Sequence, residues 1–279
     1  MKLFFSISLL LCSILQAQLK TSISLKHREY IQHERVALRI SFTNNSGQSL
    51  TLEADPWIDL FVERTDGTSL RPGFEIQTPS RQLAPNQSVT FEANLTEMFD
   101  ISKLGRYSVF LVASPQQLTA PVYSNRARFE IQEARIIKTE APLSDGSDQI
   151  EFRLLEFPRF DKDYLYLQCY SITQGRPLNT VGLGSHIKDY KPSLRIDTLG
   201  DATCFFRQNQ TYFVHAILSK QGGLELFEHY TKASATKNPY QVITDAGEAA
   251  ILHGIKYDRE ELARQALELK KLSERPLGF

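Results

Sequence analysis

The chain has 279 residues, of which 42% are hydrophobic and 23% charged, and its 32 Lys plus Arg balance its 32 Asp plus Glu. This composition is typical of globular domains and excludes a mainly disordered chain. Zero formal net charge argues against a nucleic-acid partner, which requires a concentrated basic face. The length is sufficient for two domains of ordinary size.

Residues 1–17 have the pattern of a secretory signal peptide. A positively charged second residue precedes an almost unbroken apolar run over residues 3–15, and Ala17 provides a small residue before the cleavage point. The run is too short to span a bilayer comfortably, and no later segment is apolar enough, so we expect no membrane insertion after signal removal. Lipid attachment at Cys12 is the alternative, which the bulky Leu11 disfavours. We expect an exported protein, periplasmic or extracellular.

Residues 18–133 carry alternating apolar positions separated by turn signals. Period-two spacing places one set of side chains on one strand face, and Asp66-Gly67 is typical of a hairpin turn. About seven short strands of this kind predict a β-sandwich. The alternating positions are Ile23 and Leu25; Val36, Leu38, Ile40 and Phe42; Leu50 and Leu52; Leu60 and Val62; Val89, Phe91 and Ala93; Val109 and Leu111; Phe129 and Ile131.

Two details in this segment resemble an immunoglobulin-like sandwich. Trp57 begins the strand that leads into the Asp66-Gly67 hairpin, and Gly105-Arg106-Tyr107 resembles the tyrosine corner of the penultimate strand. Residues 19–133 resemble the Ig-like domains of bacterial exported proteins and, more distantly, the proteinase-inhibitor type of sandwich. The resemblance implies architecture, with a structural role for the tyrosine, and does not extend to a cysteine pair.

Residues 134–163 are predicted to be a transition segment with one strand, Ile150–Leu155. The acidic-polar loop 144–148 and two prolines, Pro142 and Pro158, interrupt it. Its aspartates provide oxygen atoms of the type that calcium prefers, but they lack the alternating spacing and terminal Glu of a calcium loop. We therefore expect no metal site here.

A gapless internal repeat follows, with a constant offset of 47 residues. Segment 165–170 aligns with segment 212–217, and a constant period is the signature of repeated structure. The repeats span residues 164–206 and 211–253 within a predicted duplicated domain, 164–257. The same offset relates Gly175 to Gly222, Pro192 to Pro239, Ile196 to Ile243 and Gly200 to Gly247.

Each repeat is predicted to form four short strands. Two such units cannot close a propeller ring, so we expect a double meander or a sandwich of two four-stranded sheets; a ring assembled from several chains has no support. In a meander, Cys169 and Cys204 lie on the first and fourth strands, about 14 Å apart at the usual strand spacing. A disulfide needs Cα atoms within about 7 Å, so both thiols should be free. Residues 258–275 are predicted to form a C-terminal amphipathic helix.

The search for catalytic chemistry finds no motif that defines an enzyme. The metalloprotease, thiol-redox, serine-hydrolase and phosphate-loop patterns are all absent from the sequence. His215, His229 and His253 fall in the second repeat without the close spacing of a zinc site. Ser185, His186 and Asp189 lie within five residues of one another, and such close neighbours in sequence rarely form a catalytic triad. We expect neither catalysis nor a cofactor or metal.

One pattern suggests binding. Tyr164, Tyr166, Gln168 and Tyr170 share one face of a predicted strand, and tyrosines on an open face offer flat contact area to a sugar or a protein. The alternative is that this face packs against another sheet or the C-terminal helix. We expect an exported, non-catalytic binding, scaffolding or interaction protein with an unknown protein or glycan partner. The alternatives are an envelope-polymer hydrolase and a proteinase-inhibitor module acting through an exposed loop at 73–81.

Overall fold

A computed structural model describes residues 19–54, 56–76, 78, 80–142 and 149–258. The chain divides into two compact units, one up to Glu133 and one from Ala134. Within the described ranges strands dominate and a single four-residue helix occurs, so the predicted all-β class is confirmed. The predicted signal peptide, acidic loop 144–148 and C-terminal helix lie outside the described residues, except for Asp258.

The first unit contains eleven described strands and the helix α1, Leu95–Met98. The strands are β1 Leu19–Leu25, β2 Glu29–Ile31, β3 Ala37–Asn44, β4 Leu50–Leu52, β5 Ile58–Arg64, β6 Ser69–Leu70, β7 Arg81–Leu83, β8 Ser88–Asn94, β9 Gly105–Ala113, β10 Val122–Tyr123 and β11 Ala127–Gln132.

These strands form a three-stranded sheet, β1-β3-β8, a six-stranded sheet, β2-β11-β9-β5-β6 with β10 on β9, and the pair β4-β7. Alternate residues of both large sheets enter one hydrophobic core, which also contains Trp57. The Trp57 and Phe42 rings lie 4.8 Å apart between centroids. Removing this apolar surface from water stabilises the unit by about 2 kcal/mol for each fully buried large side chain. The alternation therefore leaves one polar face of the six-stranded sheet directed away from the core.

The second unit contains a further eleven described strands. They are β12 Arg135–Glu140, β13 Ile150–Arg159, β14 Lys162–Ser171, β15 Arg176–His186, β16 Ser193–Ile196, β17 Ala202–Arg207, β18 Phe213–Leu218, β19 Leu224–Lys232, β20 Tyr240–Ile243, β21 Ala249–Leu252 and β22 Gly254–Tyr257. They form the sheets β12-β13-β14-β15 and β16-β17-β18-β19-β22, and the pair β20-β21.

The segment 134–163 differs from the prediction of a transition with one strand. It supplies β12 and a ten-residue β13, which pairs along its full length with β14, so these residues are part of the second unit's first sheet. The strand β12 was missed because an edge strand often carries charged residues, which obscure the alternation. Arg135, Lys138 and Glu140 are the charged residues of β12.

The 47-residue offset is visible in the turns of the second unit. The N–H of Gly175 donates to the carbonyl of Ile172, and the N–H of Gly222 donates to that of Ser219. Both the donor glycines and the accepting residues of this turn are related by 47 residues. Gly200 and Gly247 likewise bond to Asp197 and Thr244, and all four glycines have positive φ. The offset therefore relates hydrogen bonds as well as side-chain types.

The predicted double meander is wrong. The four strands of each repeat exist, but β14-β15 belong to one sheet and β16-β17 to the next, where β17 pairs with β18. The second repeat divides in the same way, because β18-β19 continue that sheet and β20-β21 form a separate pair. A repeat in sequence fixes the period of the structure but not the point within the period at which a sheet begins.

Both large sheets of the second unit contribute to one core. Cys169 of β14 and Cys204 of β17 lie in it, and both are free thiols. Burial raises the pKa of Cys169 to about 11 and that of Cys204 to about 12. The thiols are free as predicted, but the meander spacing from which we predicted this does not exist.

Candidate functional site

The predicted tyrosine row lies on β14, but its middle is closed. Tyr166 and Gln168 are only 1% and 5% exposed, whereas Tyr164 and Tyr170 are half-buried. The Gln168 amide donates a 2.9 Å hydrogen bond to the Thr180 hydroxyl on β15, which satisfies the buried polar group. Contact of this row with a ligand remains a prediction, and only Tyr164 and Tyr170, at its two ends, have solvent-accessible surface for such a contact.

Two arginines interact with the rings of this row. The Arg153 guanidinium carbon lies 3.5 Å from the centroid of the Tyr170 ring. Arg159 is buried, and its guanidinium carbon lies 5.4 Å from the Tyr164 centroid and 5.9 Å from that of Tyr166. Aromatic faces attract cations at these distances. The tyrosine rings therefore already contact Arg153 and Arg159 of the same chain, and these contacts give the tyrosines a structural role.

The histidines of the second repeat have separate environments. His215 is buried, and its Nε2 lies 2.7 Å from the Thr203 hydroxyl. That hydroxyl accepts a hydrogen bond from the Gln241 amide, so the chain of bonds links β18, β17 and β20. His253 is exposed beside the Tyr240 ring. Among residues 19–258, outside the gaps in the description, no group of three or more His, Cys, Asp or Glu side chains is placed to hold a metal.

Ser185, His186 and Asp189 are not brought together by their side-chain bonds. His186 Nε2 lies 2.9 Å from Glu156 Oε1, and Asp189 instead pairs with Arg207 at 2.9 Å. The Glu156 carboxylate also pairs with Arg135. The side chains of His186 and Glu156 are 2% and 7% exposed, so a polymer chain has no access to this acid and base in the structure.

The open face of the first unit's six-stranded sheet carries a stack of aromatic rings. Phe61 of β5 is directly opposite Phe110 of β9, and their rings are stacked with centroids 5.0 Å apart. The Arg126 guanidinium carbon lies 4.2 Å from the Phe110 centroid, and its Nη1 donates to the Glu63 carboxylate at 2.6 Å. Phe61 remains 42% exposed. We call Phe61, Phe110 and Arg126 the aromatic platform.

Two clefts border this face, and they share Arg28 and Arg128. The large cleft has a volume of about 900 Å³, and the small cleft about 510 Å³. The large cleft is lined by Arg28, Glu29, Glu63, Arg64, Thr65, Gly67, Ser69, Arg106, Tyr107, Ser108, Arg128, Phe129 and Glu130. The small cleft is lined by Leu25, His27, Arg28, Arg126, Ala127 and Arg128. Its lining, within the described part of the chain, includes no carboxylate.

Sequence reasoning missed this face for an identifiable reason. The zero net charge of the whole chain conceals two local basic segments, Lys26–Arg28 and Arg126–Arg128. Phe61 and Phe110 occupy the polar positions of strands whose other positions are buried, and an aromatic residue at such a position is the signal that could have located the platform.

The comparisons with known proteins show no family for the chain. No family model and no curated protein matches it. Among solved structures, the chain is similar to Spo0M, a sporulation control protein from Bacillus subtilis, with a TM-score of 0.30 and 10% sequence identity over 92% of this chain and 97% of that one. A likeness at this TM-score carries no argument about fold or function.

In the part of the chain that the structure describes, no helix is both long enough and apolar enough to cross a bilayer.

Proposed function

We propose that the chain is an exported, non-catalytic binding protein that recognises another macromolecule through the open face of its first unit. The aromatic platform is the observation that carries this proposal. A stacked pair of phenylalanines at the surface, capped by an arginine, has the composition of binding hot spots, in which aromatic residues and Arg are enriched. The adjoining clefts add concave surface on the same face.

Export is supported by the signal-like pattern of residues 1–17. The immunoglobulin-like class of the first unit is supported by the common core of its two large sheets and by the burial of Trp57. It is further supported by Tyr107, whose hydroxyl donates to the Lys103 carbonyl as in a tyrosine corner. Mass spectrometry of the mature chain from its native compartment should give an N-terminus near Gln18, and an intact Met1 on exported protein would contradict this part of the proposal.

The inhibitor interpretation has less support than the platform. It needs a projecting loop at 73–81, and Phe74 of that loop is indeed exposed. Thr78, however, is buried, and its hydroxyl accepts a 3.0 Å hydrogen bond from the Trp57 indole. This bond ties the described middle of the loop to the core.

Site-specific photo-crosslinking tests the proposal. A photoreactive phenylalanine analogue at position 61 should yield a discrete crosslinked adduct when the full chain is expressed in its native compartment. The same analogue at Phe160, which is 85% exposed in the second unit, is the matched control. Equal adducts at both positions, or none at position 61, would contradict binding through the platform.

A further inference from the structure

The unpaired arginines beside the aromatic platform indicate the chemistry of the partner. We infer that the small cleft binds an extended, acidic segment of a partner protein, with carboxylates on Arg28 and Arg128. This inference rests on the proposed function and adds the class of ligand.

The two basic segments are adjacent in space, although a hundred residues separate them in sequence. The strand β2 pairs in parallel with β11, with Glu29 opposite Glu130. The N–H of Glu130 donates to the Arg28 carbonyl at 2.8 Å. The side chains of Arg28, Arg126 and Arg128 therefore line one cleft.

Local carboxylates neutralise only some of the arginines on this face. Arg126 pairs with Glu63, Arg106 with Glu130, and Arg64 with Asp66. Among the described residues, no ion pair or side-chain hydrogen bond involves Arg28 or Arg128. Both side chains are exposed. Two guanidinium groups in one cleft repel each other, and a carboxylate that bridges them with paired hydrogen bonds removes this repulsion.

The spacing of the basic residues fits an extended peptide. Arg126 and Arg128 are two positions apart on one face, which separates their Cα atoms by about 6.6 Å at the strand rise per residue. Alternate residues of an extended ligand have the same spacing. A segment with acidic residues at alternate positions presents its carboxylates on one face at the same spacing, so one can bridge Arg28 and Arg128 while the next lies toward Arg126 and the platform.

The surroundings favour a protein segment over a glycan or a nucleic acid. The Phe110 ring is covered by the Phe61 ring and by Arg126. Of the two rings, only Phe61 therefore has a face on which a sugar could stack. Glu29, Glu63 and Glu130 border the large cleft and would repel a continuous chain of phosphates. Carboxylates spaced by uncharged residues complement this mixture of Arg and Glu.

Fluorescence anisotropy tests the inference with the mature chain, residues 18–279. The probe is a labelled ten-residue peptide with Glu at alternate positions and Leu and Thr between them, and its Gln counterpart is the neutral control. We expect binding of the Glu peptide that weakens with added salt, and at least tenfold weaker binding by the R28Q/R128Q variant. The matched control R39Q/R195Q removes the same charge at two exposed arginines elsewhere and should stay within twofold of wild type.

Several results would overturn the inference. They are equal losses in both double variants, equal binding of the Gln peptide, no binding of either peptide, and stronger competition by a sulfated oligosaccharide than by the Glu peptide. The crosslink at position 61 separates this failure from failure of the proposed function. If R28Q/R128Q retains that crosslink while peptide binding is absent, the binding face is right and the ligand class is wrong.

Discussion

The Tyr107 hydroxyl donates a 2.7 Å hydrogen bond to the carbonyl oxygen of Lys103, four residues earlier in the chain. The Tyr107 ring is buried and stacks on Phe129 with centroids 5.3 Å apart. One side chain thus holds the turn before β9 and fills the core beneath it. Burial also raises the pKa of this phenol.

Substitution of this tyrosine tests the role of the turn. Tyr107→Phe keeps the ring and removes the bond, leaving a carbonyl without its partner, so we expect a loss of about 1 kcal/mol in the free energy of unfolding. Urea denaturation measures the loss. Tyr123→Phe is the control, because Tyr123 is 64% exposed, and it should change stability by less than about 0.5 kcal/mol. Equal effects of the two substitutions would contradict the assigned role.

A second prediction compares two equivalent glycine turns. Gly200 and Gly247 have φ values of 83° and 81°, so replacement by alanine strains both, at about 1 kcal/mol each. A Cβ on Gly247 would also lie 1.9 Å from Thr198 Cγ2, whereas one on Gly200 would meet its nearest atom, in Pro142, at 3.7 Å. Gly247→Ala should therefore destabilise clearly more than Gly200→Ala in thermal unfolding. The difference should shrink in the Thr198→Gly background.

A third prediction concerns acid sensitivity. Burial lowers the pKa of His215, an effect that nearby Glu228 partly opposes, and burial also lowers the pKa of His229. The folded state thus favours the neutral ring. The unfolded chain binds the proton more readily, and stability falls as pH drops below about 6.5.

Gln168 holds the position equivalent to His215 and already hydrogen-bonds to a threonine, so glutamine is a suitable replacement. We expect His215→Gln to reduce the loss of stability between pH 7 and 5, measured by urea denaturation at each pH. The remaining slope would come from His229 and the carboxylates. His253→Asn is the control, since His253 is exposed with a φ of 57°, a conformation that asparagine tolerates. An unchanged pH slope in His215→Gln would refute the assignment.

A fourth prediction concerns the thiols. Because Cys169 and Cys204 are buried and have raised pKa values, they should react with a thiol reagent only very slowly in native protein expressed as residues 18–279, at pH 8. Denaturation without reductant should release two reactive thiols per chain. Finding none would indicate a disulfide, and non-reducing electrophoresis would show whether it lies within or between chains.

The sequence predicted local structure better than pairing. The alternation of Leu38, Ile40 and Phe42 located a strand, because period-two burial is a property of neighbouring residues. The partners of each strand depend on contacts between distant residues, so the 47-residue period gave four strands per repeat while their division between two sheets escaped it. The edge strand β12 escaped because its charged residues hide its apolar ones.

The candidate site was harder to predict than the fold. The tyrosine row was located from its alternation on β14, but alternation cannot distinguish an open face from a covered one, and Tyr166 is buried. The arginine cleft depends on the parallel pairing of β2 with β11, which brings Arg28 beside Arg128 across a hundred residues. No spacing within the sequence encodes that adjacency.

The division of each repeat between two sheets ties the two copies together. The first copy supplies β14 and β15 to one sheet and β16 and β17 to the next, where β17 pairs directly with β18 of the second copy. Among the described strands, β20 and β21 pair only with each other. A cut between the copies, at residues 207–210, would therefore divide a sheet in its middle, so neither copy is a self-contained folding module.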